Sequence, residues 1–413
     1  MHILDELRAR GLVQEVTNEE LFRSLSSNDS FYHGIDPSAS SMHLGNLVGV
    51  IFSVRLARAG IKPVMLFGGS TGSVGDPSGR SSERPILSRE EIDKNCASIA
   101  AQVKNIFDRI NVTPTFVNNY DWTQPVSVLD FLRDIGKYIT VNYMLAKDSV
   151  TSRINSTDGI SFTEFTYMLL QGFDFYHLLK SHGCKLQVGG SDQFGNMTAG
   201  LEIIRKKDAG EAVVLSYPLL LDSEGKKFGK SAGNAVWLDP KRFSPFEFYQ
   251  YWLNVADAEI EKLLKVFSLK SLDEIASLLK EHSVAPEKRL AQKTLAYELT
   301  ELVHSKATAD EAVASSQVLF GGSTKNLSDE ALLAIFANVP SSEIARAASY
   351  TALDLFASSS LCKSRGEAKR LIESGGAYID QERVAGIDAA IETSKKVILL
   401  RSGKKSYHLL KIQ

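Results

Sequence analysis

The first half of the chain alternates short apolar runs with long amphipathic stretches, and the apolar runs break off into glycine or proline turns. "SFYHGID" (30–36), "KPVMLFGG" and "PTFVNN" read as strands. "NLVGVIFSVRLARAG" reads as a helix stopped by Gly60, suited to the left-handed position just past a helix end. "SREEIDKNCASIAAQVKNIFDRIN" reads as a second helix, opened by Ser88 with Glu91 three residues on in the capping-box pattern. Strands that alternate with helices build a parallel sheet covered on both faces, which sets the fold class as α/β. Such sheets bind ligands at the carboxyl ends of their strands, where the strand order switches. The glycine turns after "VMLF" and "KLQV" belong at such ends.

The pattern then changes. From about 240 to 320 it is helical, with "PFEFYQYWLNV", "DEIASLLKEH" and "PEKRLAQKTLAYELTELVH" carrying apolar residues near a 3.6 spacing. Residues 321–349 read as a linker and 350–413 as a compact α+β tail. Length fits two or three domains, and 44% hydrophobic with 23% charged residues suits a globular protein with real cores. Net charge is only −2, so no global field directs the chain to nucleic acid or a membrane. The tail 350–413 holds 11 Lys/Arg against 7 Asp/Glu, which leaves −6 for the rest. Cys96, Cys184 and Cys362 are far apart and form no C-x-x-C pair, so neither a disulfide framework nor a zinc site is suggested. The N-terminus lacks an apolar signal core, no run approaches the ~18–20 residues of a membrane span, and a cytoplasmic location is expected.

Five loops can carry chemistry. "EGKKFGKSAGN" (224–234) nearly spells a phosphate-binding P-loop, but Glu224 stands where the first glycine belongs. "GIDPSASSMHLGN" (34–46) places His43 and Gly45 at a helix start, where unpaired N–H groups suit phosphates. "GGSTGSVGDPSGRSSER" (68–84) lacks dinucleotide-binding spacing but offers Asp76 for an ammonium and Arg80 and Arg84 for phosphate. In "GISFTEFTYMLLQGFDFYHLLK", Tyr167, Gln171 and Asp174 recur at i, i+4 and i+7 and so share one helix face. "VGGSDQFGN" is a strand-end turn with Asp192 and Gln193. Any one of these can be a packing or turn residue. Three polar groups on an apolar stripe, however, need partners.

In this order and spacing the segments resemble the class I aminoacyl-tRNA synthetases, specifically the bacterial tyrosyl type, over essentially the whole chain. "MHLGN" is similar to the family's His-Ile-Gly-His signature and "KFGKS" to its mobile Lys-Met-Ser-Lys-Ser loop. "GDPSG", "YMLLQGFDF" and "GGSDQFGN" look like motifs of the tyrosine enzymes. The resemblance implies a ligase that uses ATP with Mg2+, needs no protein-held metal or organic cofactor, and acts on L-tyrosine and tRNA(Tyr) as a homodimer. It implies that Ser38, His43, Gly45, Asn46, Lys230 and Ser231 meet ATP. Arg80, Arg84, Lys227 and Lys230 are implied on the departing pyrophosphate, and Gly190 and Asp192 on the ribose. Tyr32 and Asp174 map to the substrate's phenolic hydroxyl, Asp76, Tyr167 and Gln171 to its ammonium, and Gln193 to the region of its carboxylate. Three positions depart from the family pattern. Asn46 replaces the second signature histidine, His33 stands at a ribose contact where a small residue is common, and Phe194 replaces a tryptophan.

The tail motif "SRGEAKRLIESGGAYID" sets Ser364 and Glu367 as a capping box, turns Ala368, Leu371 and Ile372 inward and leaves Arg365, Lys369 and Arg370 outward. It resembles the small RNA-binding module shared with a ribosomal protein, and Lys363, Lys404 and Lys405 would add phosphate contacts. The expected plan is therefore a Rossmann-like catalytic domain with a connective insertion (1–222), a lysine loop and α-helical tRNA-binding domain (223–320), a linker (321–349) and an α+β RNA-binding domain (350–413). A tryptophan-specific synthetase, a non-catalytic RNA-binding protein on the same fold, and a P-loop ATPase are the competing readings.

Overall fold

The structure is a computed structural model describing residues 1–78, 87–155, 159–221, 228–231, 234–318, 324, 327–336, 339–347, 349–392, 396–403 and 406–413. The chain packs as two units, Met1–Asp239 with Ala256–Pro286, and Pro240–Val255 with Glu287–Gln413.

The first unit is built on a six-stranded sheet. Its strands are β1 (Glu15–Val16), β2 (Ser30–Ile35), β3 (Lys62–Phe67), β4 (Thr115–Asn118), β5 (Cys184–Gly190) and β6 (Val213–Tyr217), in the order β1-β6-β5-β2-β3-β4. All neighbours are parallel except the short edge strand β1, which runs antiparallel to β6. β6 is buried throughout and β3 at every residue but its first, as expected of strands covered on both faces. From β2 the chain builds outward through β3 and β4, then returns to add β5 and β6 on the other side. The crevice between the ends of β2 and β5 is thus the switch point where such sheets take ligands.

Two sets of helices fix the geometry around that crevice. Leu44–Arg58 follows β2 and is apolar on nearly all sides, which buries it almost completely. Phe162–His182 and Phe194–Lys206 cross closely because both carry glycine at the contact. A Cβ on Gly172 would sit 2.8 Å from Ile203 Cδ1, and one on Gly200 2.9 Å from the Phe175 ring.

The chain divides elsewhere than its sequence suggests. The helix Asp257–Phe267, expected in a separate helical domain, belongs to the first unit. Two buried guanidinium groups cap its carboxyl end, where carbonyls lack helical partners and the dipole is negative. Arg10 donates to the carbonyls of Lys265 and Lys270, and Arg55 to those of Val266 and Ser268. Glu6 accepts from Arg10 at 2.8 Å and balances the charge.

The second unit contains the helices Pro245–Leu253, Leu290–Val303 and Lys306–Val318, followed by a five-stranded sheet. The short hairpin strands of the first unit, β7 (Lys230–Ser231) and β8 (Asn234–Ala235), precede it in the chain. The second unit holds β9 (Ser341–Ile344), β10 (Ser349–Thr351), β11 (Ala377–Ile379), β12 (Glu382–Arg383), β13 (Ala390–Glu392), β14 (Val397–Ser402) and β15 (Ser406–Ile412), with sheet order β12-β11-β14-β15-β9 and a separate β10-β13 pair. Alternation along β14 sends Ile398 and Leu400 into a core with Leu355, Phe356 and Ile372, and Val397 and Leu399 into another with Leu332 and Phe336. The stretch 321–349 is therefore no simple linker. It contains the helix Asp329–Ile335 and strand β9, which pairs in parallel with β15. Among the described residues no helix is long and apolar enough to cross a membrane.

Candidate functional site

A cavity of ≈ 500 Å³ opens at the carboxyl ends of β2 and β5. Ser161 caps the helix Phe162–His182 by accepting from the Glu164 N–H, and left-handed Gly183 ends it. One face of that helix brings Tyr167, Gln171 and Asp174 to the cavity, as the spacing predicts.

Asp174 marks the deep end. Its carboxylate accepts from Asn119 Nδ2 and Trp122 Nε1, each at 2.9 Å. Burial pushes its pKa up to about 7, against the pull of those two donors. Trp122 is held in turn by stacking on His177, with ring centroids 4.4 Å apart. Tyr32, from β2, is 1% exposed, and its hydroxyl has no hydrogen-bond partner among the described residues. Burial raises its pKa, and the neighbouring Asp174 charge adds to the rise. Gln187 Oε1, from β5, is also buried and unpartnered. An orphaned buried polar atom costs about 1–3 kcal/mol, so two in the wall of one cavity point to a ligand that satisfies them.

The pocket wall carries two more carboxylates, Asp36 and Asp76. Asp36 accepts from the Tyr167 hydroxyl at 2.8 Å and from Thr71 Oγ1 at 2.7 Å. Asp76 accepts from Gln193 Nε2 at 2.6 Å, Ser78 N at 3.1 Å and Asn196 Nδ2 at 3.2 Å. The Tyr167 proton is committed to Asp36, which leaves the Tyr167 oxygen an acceptor.

Ser38, His43, Gly45, Asn46, Gly190 and Asp192 line the same cavity. His43 caps the helix Leu44–Arg58, with Nδ1 accepting from Gly45 N at 3.0 Å. Asn46 Oδ1 accepts from His43 N at 3.1 Å, so its amide oxygen completes a reciprocal cap. The acceptor at Nδ1 puts the proton of neutral His43 on Nε2. Backbone bonds run from Leu44 N to Val236 O (3.0 Å) and from Leu238 N to Met42 O (2.9 Å). They tie this helix start to the strand leaving the β7–β8 hairpin. Gly229, at φ 92°, enters that hairpin, and a Cβ there would meet Leu44 Cβ at 2.8 Å. Lys230 pairs with Ala235 through its backbone, and Ser231 with Asn234. A second, mostly apolar cavity of ≈ 170 Å³ lies between Gly45, Val48, Tyr217, Leu219, Phe228 and Gly229. Arg80, Arg84 and Lys227 lie outside the described residues.

The departures find local reasons. His33 lines the ≈ 500 Å³ cavity with protein groups beside both ring nitrogens. Nδ1 bonds Ser53 Oγ at 3.0 Å, Nε2 approaches the Tyr217 hydroxyl at 3.5 Å, and burial pushes the pKa down to about 4. Phe194 is half-buried and packs against the core around Tyr32, Phe175 and Met197. Sequence reasoning missed Asp36, Thr71, Asn119, Trp122 and Gln187. Asp36 precedes a proline and reads as a turn residue, and Asn119 and Trp122 belong to the four-residue helix Tyr120–Thr123 and its N-cap, too short to show a helical period.

In the second unit Lys363, Arg365, Lys369 and Arg370 are exposed. Arg365 pairs with Asp354 at 2.8 Å, and Lys369 approaches Glu373 at 3.8 Å. Ser364 caps their helix, but Glu367 reaches past it to the Lys363 N–H, so the capping box is not reciprocal. Lys404 and Lys405 lie outside the described residues. No group of three or more His, Cys, Asp or Glu among the described residues can hold a metal ion.

Residues 26–321 match the family model described as "tRNA synthetases class I (W and Y)", which sets the class. Residues 331–410 match a second, the "Tyrosine--tRNA ligase SYY-like C-terminal domain". The tyrosine–tRNA ligase of Bacteroides fragilis is 45% identical over 99% of both chains, and that of Streptococcus suis 44% over 99% of this chain and all of the other. A C-terminally truncated mitochondrial tyrosyl-tRNA synthetase from Aspergillus nidulans superposes with a TM-score of 0.68 at 31% identity, covering 77% of this chain and 94% of that one. The chain belongs to the tyrosine–tRNA ligase family.

Proposed function

We infer that this chain activates L-tyrosine with Mg-ATP and passes the tyrosyl group to the 3′ end of tRNA(Tyr). The observation that carries the amino-acid choice is the deep end of the cavity. The orphaned Tyr32 hydroxyl and the Asp174 carboxylate, oriented by Asn119 and Trp122, suit a phenol that accepts from one and donates to the other. Phenylalanine would leave both without that partner.

At the opposite end the ammonium faces Asp76, Gln171 and the Tyr167 oxygen, whose proton Asp36 holds away. Gln193 steadies Asp76 beside the substrate carboxylate. Adenine fits the apolar cavity between Gly45 and Phe228, and Gly190 and Asp192 take the ribose. The tyrosine carboxylate oxygen attacks the α-phosphorus in line, the bond to the bridging oxygen breaks, and Mg-pyrophosphate leaves. His43 Nε2–H, the Asn46 amide, Ser38 and Ser231 donate toward the phosphates, with Lys227, Lys230, Arg80 and Arg84 on the pyrophosphate. A hydroxyl of the terminal adenosine then attacks the acyl carbon and AMP departs. Neither step needs a covalent enzyme nucleophile, so positioning and charge stabilisation supply the rate.

The exposed Lys363, Arg365, Lys369 and Arg370, with Lys404 and Lys405, grip the tRNA backbone in the second unit. The chain works in the cytoplasm as a homodimer. Exposed Val128, Leu129, Leu132, Val141 and Phe162 give the first unit an apolar surface that suits a second copy. Pyrophosphate exchange into ATP, measured with each of the twenty amino acids, tests the reading. Exchange with tyrosine alone supports it, exchange with tryptophan replaces the pocket assignment, and silence from folded protein removes the ligase reading.

A further inference from the structure

The helix Leu44–Arg58 touches the β7–β8 hairpin at its first turn and the helix Asp257–Phe267 at its last. At about 1.5 Å per residue it spans roughly 22 Å between the two. At its start Leu44 N donates to Val236 O, and a Cβ on Gly229 would meet Leu44 Cβ at 2.8 Å. At its end Arg55 donates to the carbonyls of Val266 and Ser268, and Arg58 to that of Leu269 at 3.2 Å. Arg10, which ends the helix Ile3–Ala9, adds bonds to the carbonyls of Lys265 and Lys270. Glu6 lies 2.8 Å from Arg10 and 3.8 Å from Arg55, so one partly exposed carboxylate faces two buried guanidinium groups. The negative end of Asp257–Phe267 supplies the remaining balance. The helix so held grips the stem of the hairpin. Phe267 packs on Phe228 with ring centroids 6.0 Å apart and planes at 34°. Lys262 Nζ donates to Leu221 O at 3.0 Å, and Phe228 N to Leu220 O at 3.0 Å. Phe228 leads through Gly229 straight into the strand Lys230–Ser231. The hairpin is thus tied to Leu44–Arg58 directly at one end and through Asp257–Phe267 at the other.

We propose that Arg55 is a positioning residue for adenylate formation: by holding the carboxyl end of Asp257–Phe267 it fixes the β7–β8 hairpin in register with the His43 helix start. This rests on the ligase reading of the site. Arg55 lines neither the ≈ 500 Å³ nor the ≈ 170 Å³ cavity and acts through the elements between. Its loss therefore slows the step at the phosphates and spares the affinity for tyrosine.

The test is single-turnover formation of tyrosyl-adenylate beside equilibrium tyrosine binding, both with the full chain. Arg55→Met keeps most of the buried volume and removes the donors. The rate is expected to fall about 10–100-fold, the scale on which a misplacement of about 1 Å acts, with tyrosine affinity unchanged. Added to Lys230→Ala, the same substitution costs far less than it does alone, because the group it positions is already gone. Lys262→Met cuts only the exposed tie to Leu221, so it reports even where Arg55→Met fails to fold. It slows the same step about 2-fold, the low end for one hydrogen bond. A wild-type rate in folded Arg55→Met or in Lys262→Met overturns the proposal. So does a parallel loss of tyrosine affinity, or full additivity with Lys230→Ala. A wild type that forms no adenylate overturns the ligase reading instead, and that control separates the two.

Discussion

The two ends of the main cavity are built differently. At the phenol end Tyr32, Gln187 and Asp174 stand on two central strands and a long helix, and Asn119 and Trp122 lock the carboxylate from behind. At the phosphate end the protein supplies a helix start, a cap made by His43 and Asn46, and a hairpin fastened to both by backbone bonds. Under the proposed function the phenol end serves specificity from regular elements, and the phosphate end serves charge stabilisation.

Substitutions at the two ends should separate these tasks. Lys230→Ala, at the phosphate end, is expected to slow adenylate formation about 10²–10³-fold, with tyrosine affinity retained. Single-turnover kinetics beside equilibrium binding checks it, and loss of tyrosine affinity would place Lys230 at the wrong end. Tyr32→Phe removes one neutral donor from the phenol end. The tyrosine KM should rise about 2–10-fold while the ATP KM stays fixed.

Asn46→Ala removes half of the reciprocal cap. Stability should fall by about 1 kcal/mol, read by chemical denaturation, with a smaller effect on tyrosine binding than Tyr32→Phe. The pH dependence of Asp174 separates the ends in a different way. Its pKa is raised in the folded chain, so the fold retains a proton that the unfolded chain has already lost. Stability from this group is present in acid and is lost as pH rises from the ordinary carboxylate range through about 7. Tyrosine binding, which uses the carboxylate, should strengthen through the same window. Asp174→Asn should flatten both slopes.

The same contrast explains what the sequence made legible. Tyr167, Gln171 and Asp174 announced themselves because a helix repeats every 3.6 residues and three polar groups fell on one stripe. His43, Gly45 and Asn46 were visible as a strand-to-helix turn. The residues behind them were not. Asn119 and Trp122 reach Asp174 from the short helix Tyr120–Thr123 and its N-cap, distant in sequence, and Asp36 differs from a turn aspartate by receiving the Tyr167 and Thr71 hydroxyls. His33 could be placed on a strand, but its commitment to Ser53 and Tyr217 depends on how the helix Leu44–Arg58 packs. Strand β9 reads as linker in the sequence because its pairing with β15 joins residues 68 apart, a non-local contact that leaves no local pattern. The helix Asp257–Phe267 reads with its helical neighbours in the sequence, while its ties to the first unit include two arginines more than two hundred residues earlier.

The most direct measurement is the kcat/KM ratio for tyrosine over phenylalanine in pyrophosphate exchange, for the wild type and Asp174→Ala. The reading of the phenol end requires the ratio to fall at least about tenfold, the scale of a hydrogen bond to a charged group, through loss on the tyrosine arm with the phenylalanine arm little changed. An unchanged ratio, or parallel losses on both arms, would contradict it and remove Asp174 from substrate selection.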